Sequence, residues 1–192
     1  RMVAFYADYD AQCQREGVVD FAELLLRSFE LLSRQADLLA HYQARFRYIL
    51  VDEFQDTNKL QYRWIRLLAG ATGCVFAVGD DDQSIYRFRG AEVGNMNDFL
   101  RDFQVGEVVK LEQNYRSQGV ILDAANAVIA QNKSRLGKNL WTAEGRGELL
   151  RIFAAATDEE EARFVVDEVK ALKRDGMRLA EMALLYLSLI HI

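Results

Sequence analysis

The rhythm of apolar and polar positions changes once along this chain. Over the first 46 residues the apolar positions recur at helical spacings: "FYADYDAQCQREG" is polar and amphipathic with Gly17 as a stop, and "VVDFAELLLRSFELLSRQADLLAHYQARF" carries an apolar stripe. Asp20 stands where a helix cap is needed, and Glu23 three residues later completes the pattern of a capping box. From Tyr48 short β-branched runs begin to alternate with helical segments. "YILV", "CVFAV", "EVVKL", "ELLRIFAA" and "MALLY" read as strands. "LQYRWIRLLAG", "AEVGNMNDFLRDF", "GVILDAANAVIAQN" and "DEEEARFVVDEVKALKRDG" read as helices, the last opening with acids that suit its N-terminal dipole.

Strands alternating with helices predict an α/β fold, a parallel sheet with helices on both faces, preceded here by a helical segment. Ligands of such sheets sit at the carboxyl ends of the strands. Asp52 and Glu53 directly follow "YILV", and "GDDDQ" directly follows "CVFAV", so both acidic clusters are expected on one rim. Adjacent carboxylates repel each other, and a metal ion, a basic partner or exposure to water could answer that repulsion.

Composition narrows the classes. With 192 residues, 51% hydrophobic, the chain is long enough for one domain or two small ones with a real core. Its net charge of -5 gives no global basic field, although a local groove can be basic within an acidic protein. Cys13 and Cys74 lie far apart without a CxxC pattern and read as reduced thiols of a cytosolic protein. His41 and His191, the 2 histidines, make a histidine metal site unexpected. No run approaches a membrane span and no signal peptide opens the chain. The start at Arg1 and the abrupt ending "LLYLSLIHI" read as a segment of something longer.

Three stretches carry candidate chemistry. Asp52 and Glu53 match the need of metal-dependent phosphoryl transfer, one carboxylate to hold Mg²⁺ through water and one to accept a proton from the attacking water; a solvated, helix-capping turn is the alternative. In "VGDDDQSIYRFRGA", Gly79 lets the chain turn, Asp80 can complete the acid cluster, and Gln83 can donate to a phosphate oxygen or accept from water. Tyr86 and Phe88 alternate with Arg87 and Arg89, the mixture of π-faces and cations that binds single-stranded nucleic acid, or else a plain surface loop. "LEQNYRS" supplies Arg116, whose guanidinium could neutralise a γ-phosphate or pair with Glu112 or Asp123, and Tyr115, whose ring could stack on a base.

Together, "LVDEFQDTN", "VGDDDQSIYRFRGA" and "LEQNYRS" resemble motifs II, III and IV of the superfamily 1A DNA helicases, the UvrD, Rep and PcrA group. "VDFAELLLR" and "RLGKNLWT" extend the resemblance over nearly the whole chain. It implies RecA-like parallel sheets of the P-loop NTPase type, with 1–46 the end of a helical subdomain, 47–112 the second half of the first motor domain and 113–192 the start of the second. It also implies ATP and Mg²⁺ as cofactors, with Asp52 holding the metal, Glu53 beside it activating water, Gln83 sensing the γ-phosphate, Arg116 as arginine finger and Tyr115 stacking on adenine. Tyr86, Phe88 and Arg89 would bind single-stranded DNA.

The implied activity is 3′-to-5′ DNA unwinding in repair or replication, on single-stranded DNA and single-strand/duplex junctions, with possible repair-protein partners, in a bacterial cytoplasm at the nucleoid. A helicase subunit of an AddA/RecB-type helicase-nuclease, or a non-catalytic DNA- or partner-binding piece, are the alternatives. The phosphate loop G-x-x-x-x-G-K-S/T does not occur in these residues, so the isolated chain is expected to hydrolyse ATP poorly or not at all. Phe88 stands where the group more often has Trp, and Leu187 where it has Arg, in a tail that looks unrelated.

Overall fold

The computed structural model describes residues 2–133 and 135–185. Two compact units divide them: Arg1–Asn114 with Ala124–Trp141, and Tyr115–Asp123 with Thr142–Ile192.

The first unit opens with three helices, α1 (Met2–Glu16), α2 (Phe21–Arg34) and α3 (Ala36–Arg45). Asp20 caps α2 as expected, its Oδ1 accepting the Glu23 N–H at 2.8 Å. The reciprocal half of the box is absent because the Glu23 carboxylate pairs with Arg27 at 2.5 Å instead. The long helical stretch breaks at Gln35, which ends α2 and begins α3 with ψ of 89°. That break lets both helices pack on α4 (Lys59–Ala69).

Strands β1 (Tyr48–Val51) and β2 (Cys74–Ala77) form where the sequence places them and pair in parallel, Tyr48 opposite Cys74 and Val51 opposite Ala77. Between them α4 makes the crossover, started by an Asn58–Gln61 capping box and stopped at Gly70. Gly70 has φ of +57°, and a Cβ there would meet Gln43 Nε2 at 2.7 Å, the atom that donates to Leu67 O at the end of α4. Alternation then sorts the strand residues. Ile49, Val51, Val75 and Ala77 face a core of Phe54, from the turn after β1, Tyr62 and Ile65 of α4, and Phe99 of α5 (Gly94–Asp102). Tyr48, Leu50 and Phe76 lie on the other face and are exposed.

Of the expected parallel sheet with helices on both faces, the described residues form a two-stranded parallel sheet with α4 and α5 covering one face. Residues 107–111 and 148–155 form no strand, and neither do 182–185; the rest of "MALLY" and the departure at Leu187 fall outside the described residues. A strand is made by its neighbour's N–H and C=O groups, and these apolar runs meet no partner ladder, leaving Leu111 78% and Ile152 97% exposed. Near the first run, Gln113 and Trp141 make one isolated parallel bridge.

In the second unit, the start of α6 (Gly119–Ile129) is tied to the 145–146 turn, with Gly119 N–H donating to Gly145 O at 2.8 Å. There α7 (Asp158–Arg174) is capped by Thr157, carries acids at 158–161 as its dipole favours, and stacks Phe164 on Phe153 with ring centroids 4.1 Å apart. No helix among the described residues is long and apolar enough to cross a membrane.

Candidate functional site

Parallel pairing of β1 with β2 brings both acidic clusters to one rim, because Val51 and Ala77 are register partners and the chain leaves each strand within a few residues. The join is backbone-made: Val78 N–H donates to Val51 O at 2.8 Å and Phe54 N–H returns to Val78 O at 3.0 Å. Asp52 and Glu53 are both exposed. Glu53 adopts left-handed backbone angles, φ 49° and ψ 44°, a conformation costing on the order of 1 kcal/mol for a residue with a Cβ. Local bonds hold it: Asp52 Oδ1 accepts the Glu53 N–H at 2.9 Å, and Asp56 N–H donates to Glu53 O at 2.9 Å.

The Glu53 carboxylate is itself tied down. Its Oε2 accepts from Gln55 Nε2 at 2.7 Å, while Gln55 Oε1 accepts the Asp80 N–H at 2.8 Å. Gln55 is 2% exposed, so both ends of a buried amide are satisfied by the two acidic turns. Gly79 makes room for it, since a Cβ there would stand 2.8 Å from Gln55 Oε1 and 3.2 Å from Phe54.

The Asp80–Gln83 turn is a short 3-10 helix capped by its own Asp80, whose Oδ1 accepts from Asp82 N–H at 3.1 Å and Oδ2 from Gln83 Nε2 at 2.7 Å. Its counter-charge comes from the 135–138 segment. Arg135 forms a fork with Asp82 at 2.9 and 2.5 Å, Lys138 binds Asp80, and Leu136 N–H donates to Asp81 at 2.6 Å. Burial raises the Asp80 carboxyl, but hydrogen bonds from Lys138 and Gln83 outweigh it and hold the group below its ordinary value. Asp80, Asp81 and Asp82 cluster tightly enough to suggest a metal, yet Arg135 and Lys138 answer their charge. Asp80 thus joins the acidic rim beside Asp52 and Glu53 with its own charge answered by Lys138.

Asp52 and Glu53 fit a hydrated divalent cation better. Both offer exposed hard oxygens, with one Asp52 oxygen engaged by a backbone N–H and one Glu53 oxygen by an amide.

Beyond Gln83 the chain carries the aromatic pair. Tyr86 and Phe88 lie 6.0 Å apart at 48°, and the Arg89 guanidinium sits over Tyr86 at 5.4 Å. Phe88 is 81% exposed, so this group presents a cation and π-faces to solvent rather than filling a core. Its base is zipped to the other turn: Glu92 N–H donates to Thr57 O at 3.1 Å, and buried Asn95 donates to Thr57 O at 2.8 Å.

Tyr115 and Arg116 belong to the second unit, where both are exposed. Nearby, Asp123 pairs with Arg146 at 3.2 Å, and Glu112 accepts Asn139 N–H at 3.0 Å. A cavity of about 620 Å³ lies away from the rim, where β2 begins; its cations are paired, Arg66 with Asp102 at 3.0 Å and Arg63 over Phe29 at 5.0 Å.

The family model for the UvrD/REP helicase N-terminal domain matches residues 1–104, and that for the UvrD-like helicase C-terminal domain matches 109–189. The chain belongs to the UvrD/REP helicase family. This UvrD/REP chain is 56% identical to DNA helicase II of Escherichia coli strain K12 over 183 residues, 95% of its length and 25% of the relative's. It is 50% identical to DNA helicase II of Haemophilus influenzae over 97% of its length and 25% of the relative's. With ATP-dependent DNA helicase PcrA of Staphylococcus aureus the identity is 43% over 97% of the chain and 26% of that protein. The chain thus spans about a quarter of the length of these relatives.

Gln55, Arg135 and Lys138 are missing from the sequence-based assignment. The signal for the last two was charge: "RLGKN" offers the cations that "GDDDQ" requires, but 53 positions separate Arg135 from Asp82.

Because the folded Asp80 carboxyl is held low, its bond to Lys138 stabilises the turn fully above the ordinary carboxylate range and loses that contribution as pH falls through the depressed value. The difference in urea midpoint between the wild-type chain and Lys138→Met is therefore expected to be constant above about pH 5 and to shrink as pH falls below the ordinary aspartate range. A difference that persists unchanged at the acid end removes the Asp80–Lys138 bond as its cause.

Proposed function

We propose that this chain is part of an ATP-dependent 3′-to-5′ DNA helicase acting in repair or replication, stepping along single-stranded DNA and opening single-strand/duplex junctions. The observation that carries this reading is the convergence of Asp52, Glu53 and Gln83 on one rim, next to an exposed Tyr86–Phe88–Arg89 group, in a UvrD/REP family chain. In it, residues 1–46 close a helical subdomain, 47–112 complete a first RecA-like domain with helices on both faces, and 113–192 begin a second. The uncovered apolar face of Tyr48, Leu50 and Phe76 agrees with a larger sheet than the described residues form.

Glu53 takes the proton of a water whose oxygen bonds to the γ-phosphorus of ATP while the bond to the β-phosphate oxygen breaks, giving ADP and inorganic phosphate. Asp52 and Glu53 would hold Mg²⁺ largely through water, and the ion, when bound with the nucleotide, offsets charge on its phosphates. Gln83 reports the γ-phosphate, Arg116 neutralises charge that develops on it, and Tyr115 stacks on adenine. Tyr86 and Phe88 stack on bases, each worth ~1–3 kcal/mol, and Arg89 adds a cation beside the strand. These residues contain no G-x-x-x-x-G-K-S/T loop, so hydrolysis needs a phosphate cradle from elsewhere and the chain by itself turns over little or no ATP. Repair proteins as partners and a cytoplasmic, nucleoid-associated setting follow from the same reading.

In the full-length helicase carrying these residues, Glu53→Gln is expected to retain single-stranded DNA binding and lower DNA-stimulated ATP turnover by roughly 10²-fold or more; hydrolysis at the wild-type rate removes Glu53 from the base role. Phe88→Ala in the same protein is expected to weaken single-stranded DNA binding by ~1–3 kcal/mol, read by fluorescence anisotropy. Undiminished affinity and DNA dependence of the ATPase would contradict the stacking role.

A further inference from the structure

The buried amide of Gln55 touches both halves of the rim and has no role in the reaction as described. A side chain that is 2% exposed, with its donor on Glu53 Oε2 at 2.7 Å and its acceptor on Asp80 N–H at 2.8 Å, cannot rotate without leaving a buried polar group unpaired. The amide's orientation is fixed by chemistry, since the Asp80 N–H requires an oxygen and the Glu53 carboxylate requires an N–H. From Asp80 the chain of bonds continues through its carboxylate to Gln83 Nε2 at 2.7 Å. Glu53 and Gln83 are thereby the two ends of one hydrogen-bonded relay whose middle is Gln55. The backbone supports the same geometry: Glu53 sits in a left-handed conformation that aims its side chain back at residue 55, and Gly79 leaves the space that Gln55 Oε1 occupies.

We propose that Gln55 is a positioning residue that fixes the direction of the Glu53 carboxylate and locks it to the Asp80–Gln83 turn, so that proton abstraction at Glu53 and movement of Gln83 occur as one event. This rests on the helicase reading, in which Glu53 activates water and Gln83 reports the γ-phosphate. Gln55 touches neither nucleotide nor water in this scheme; it acts through Glu53. Losing it leaves ATP binding intact and misdirects the base, which lowers kcat and spares KM.

The test uses the full-length helicase carrying these residues, with two variants. Gln55→Met removes both bonds at similar volume, and Gln55→Glu keeps an acceptor for Asp80 N–H but sets a second carboxylate against Glu53. Both are expected to lower kcat of the DNA-stimulated ATPase by roughly tenfold to a hundredfold with KM for ATP within about twofold of wild type. A merely structural role would shift the melting temperature without that split. Wild-type kcat in either folded variant overturns the proposal, and should Gln55→Met fail to fold, the isosteric Gln55→Glu decides alone. A wild-type protein with no DNA-stimulated ATPase would instead defeat the helicase reading itself.

Discussion

The carboxylates of Asp52, Glu53, Asp80, Asp81 and Asp82 leave the ends of two adjacent parallel strands, and their mutual repulsion is the constraint the rest of the structure answers. The answers differ between the two turns. Asp80, Asp81 and Asp82 are half-buried and are neutralised from within by Arg135, Lys138 and a backbone N–H. Asp52 and Glu53 are left to solvent and to one amide. A site for a charged, metal-bearing nucleotide needs that asymmetry, because carboxylates already paired with fixed cations have no attraction left for a metal, whereas hydrated ones do.

Neutralisation also makes the second turn rigid. A fork between Arg135 and Asp82 fixes direction as well as charge, and the Asp80 cap then holds Gln83. Phe54, 1% exposed, anchors the first turn in the core directly between Glu53 and Gln55. The Thr57–Asn95 seam ties the end of that turn to the base of the aromatic loop. Rim, relay and aromatic group therefore share one packed support.

Much of this was legible in the residues. The β-branched runs before Asp52 and Asp80 gave the strands, their alternation with α4 gave parallel pairing, and parallel pairing gave the shared rim. Interleaved rings and cations at 86–89 pointed to an exposed aromatic and cationic group, and that is how they are placed. Tertiary partners stayed hidden. "EVVKL" and "ELLRIFAA" have strand composition, yet a strand depends on neighbours that these residues lack. Gln55 looked like one polar residue in an acidic turn, and its role follows from the direction of the Asp80 N–H, which no local pattern encodes. The cations that answer the second acidic turn stayed hidden because they lie far along the chain.

The central claim is that charge on the second turn is answered by the protein's own cations. A double-mutant cycle on unfolding free energy, with Lys138→Met, Asp80→Asn and the double variant at pH 7, tests it directly. A coupling of about 1 kcal/mol is expected, modest because both groups keep some contact with water. Additivity to within about 0.3 kcal/mol would contradict it and return the acids of the second turn to the list of candidate metal ligands.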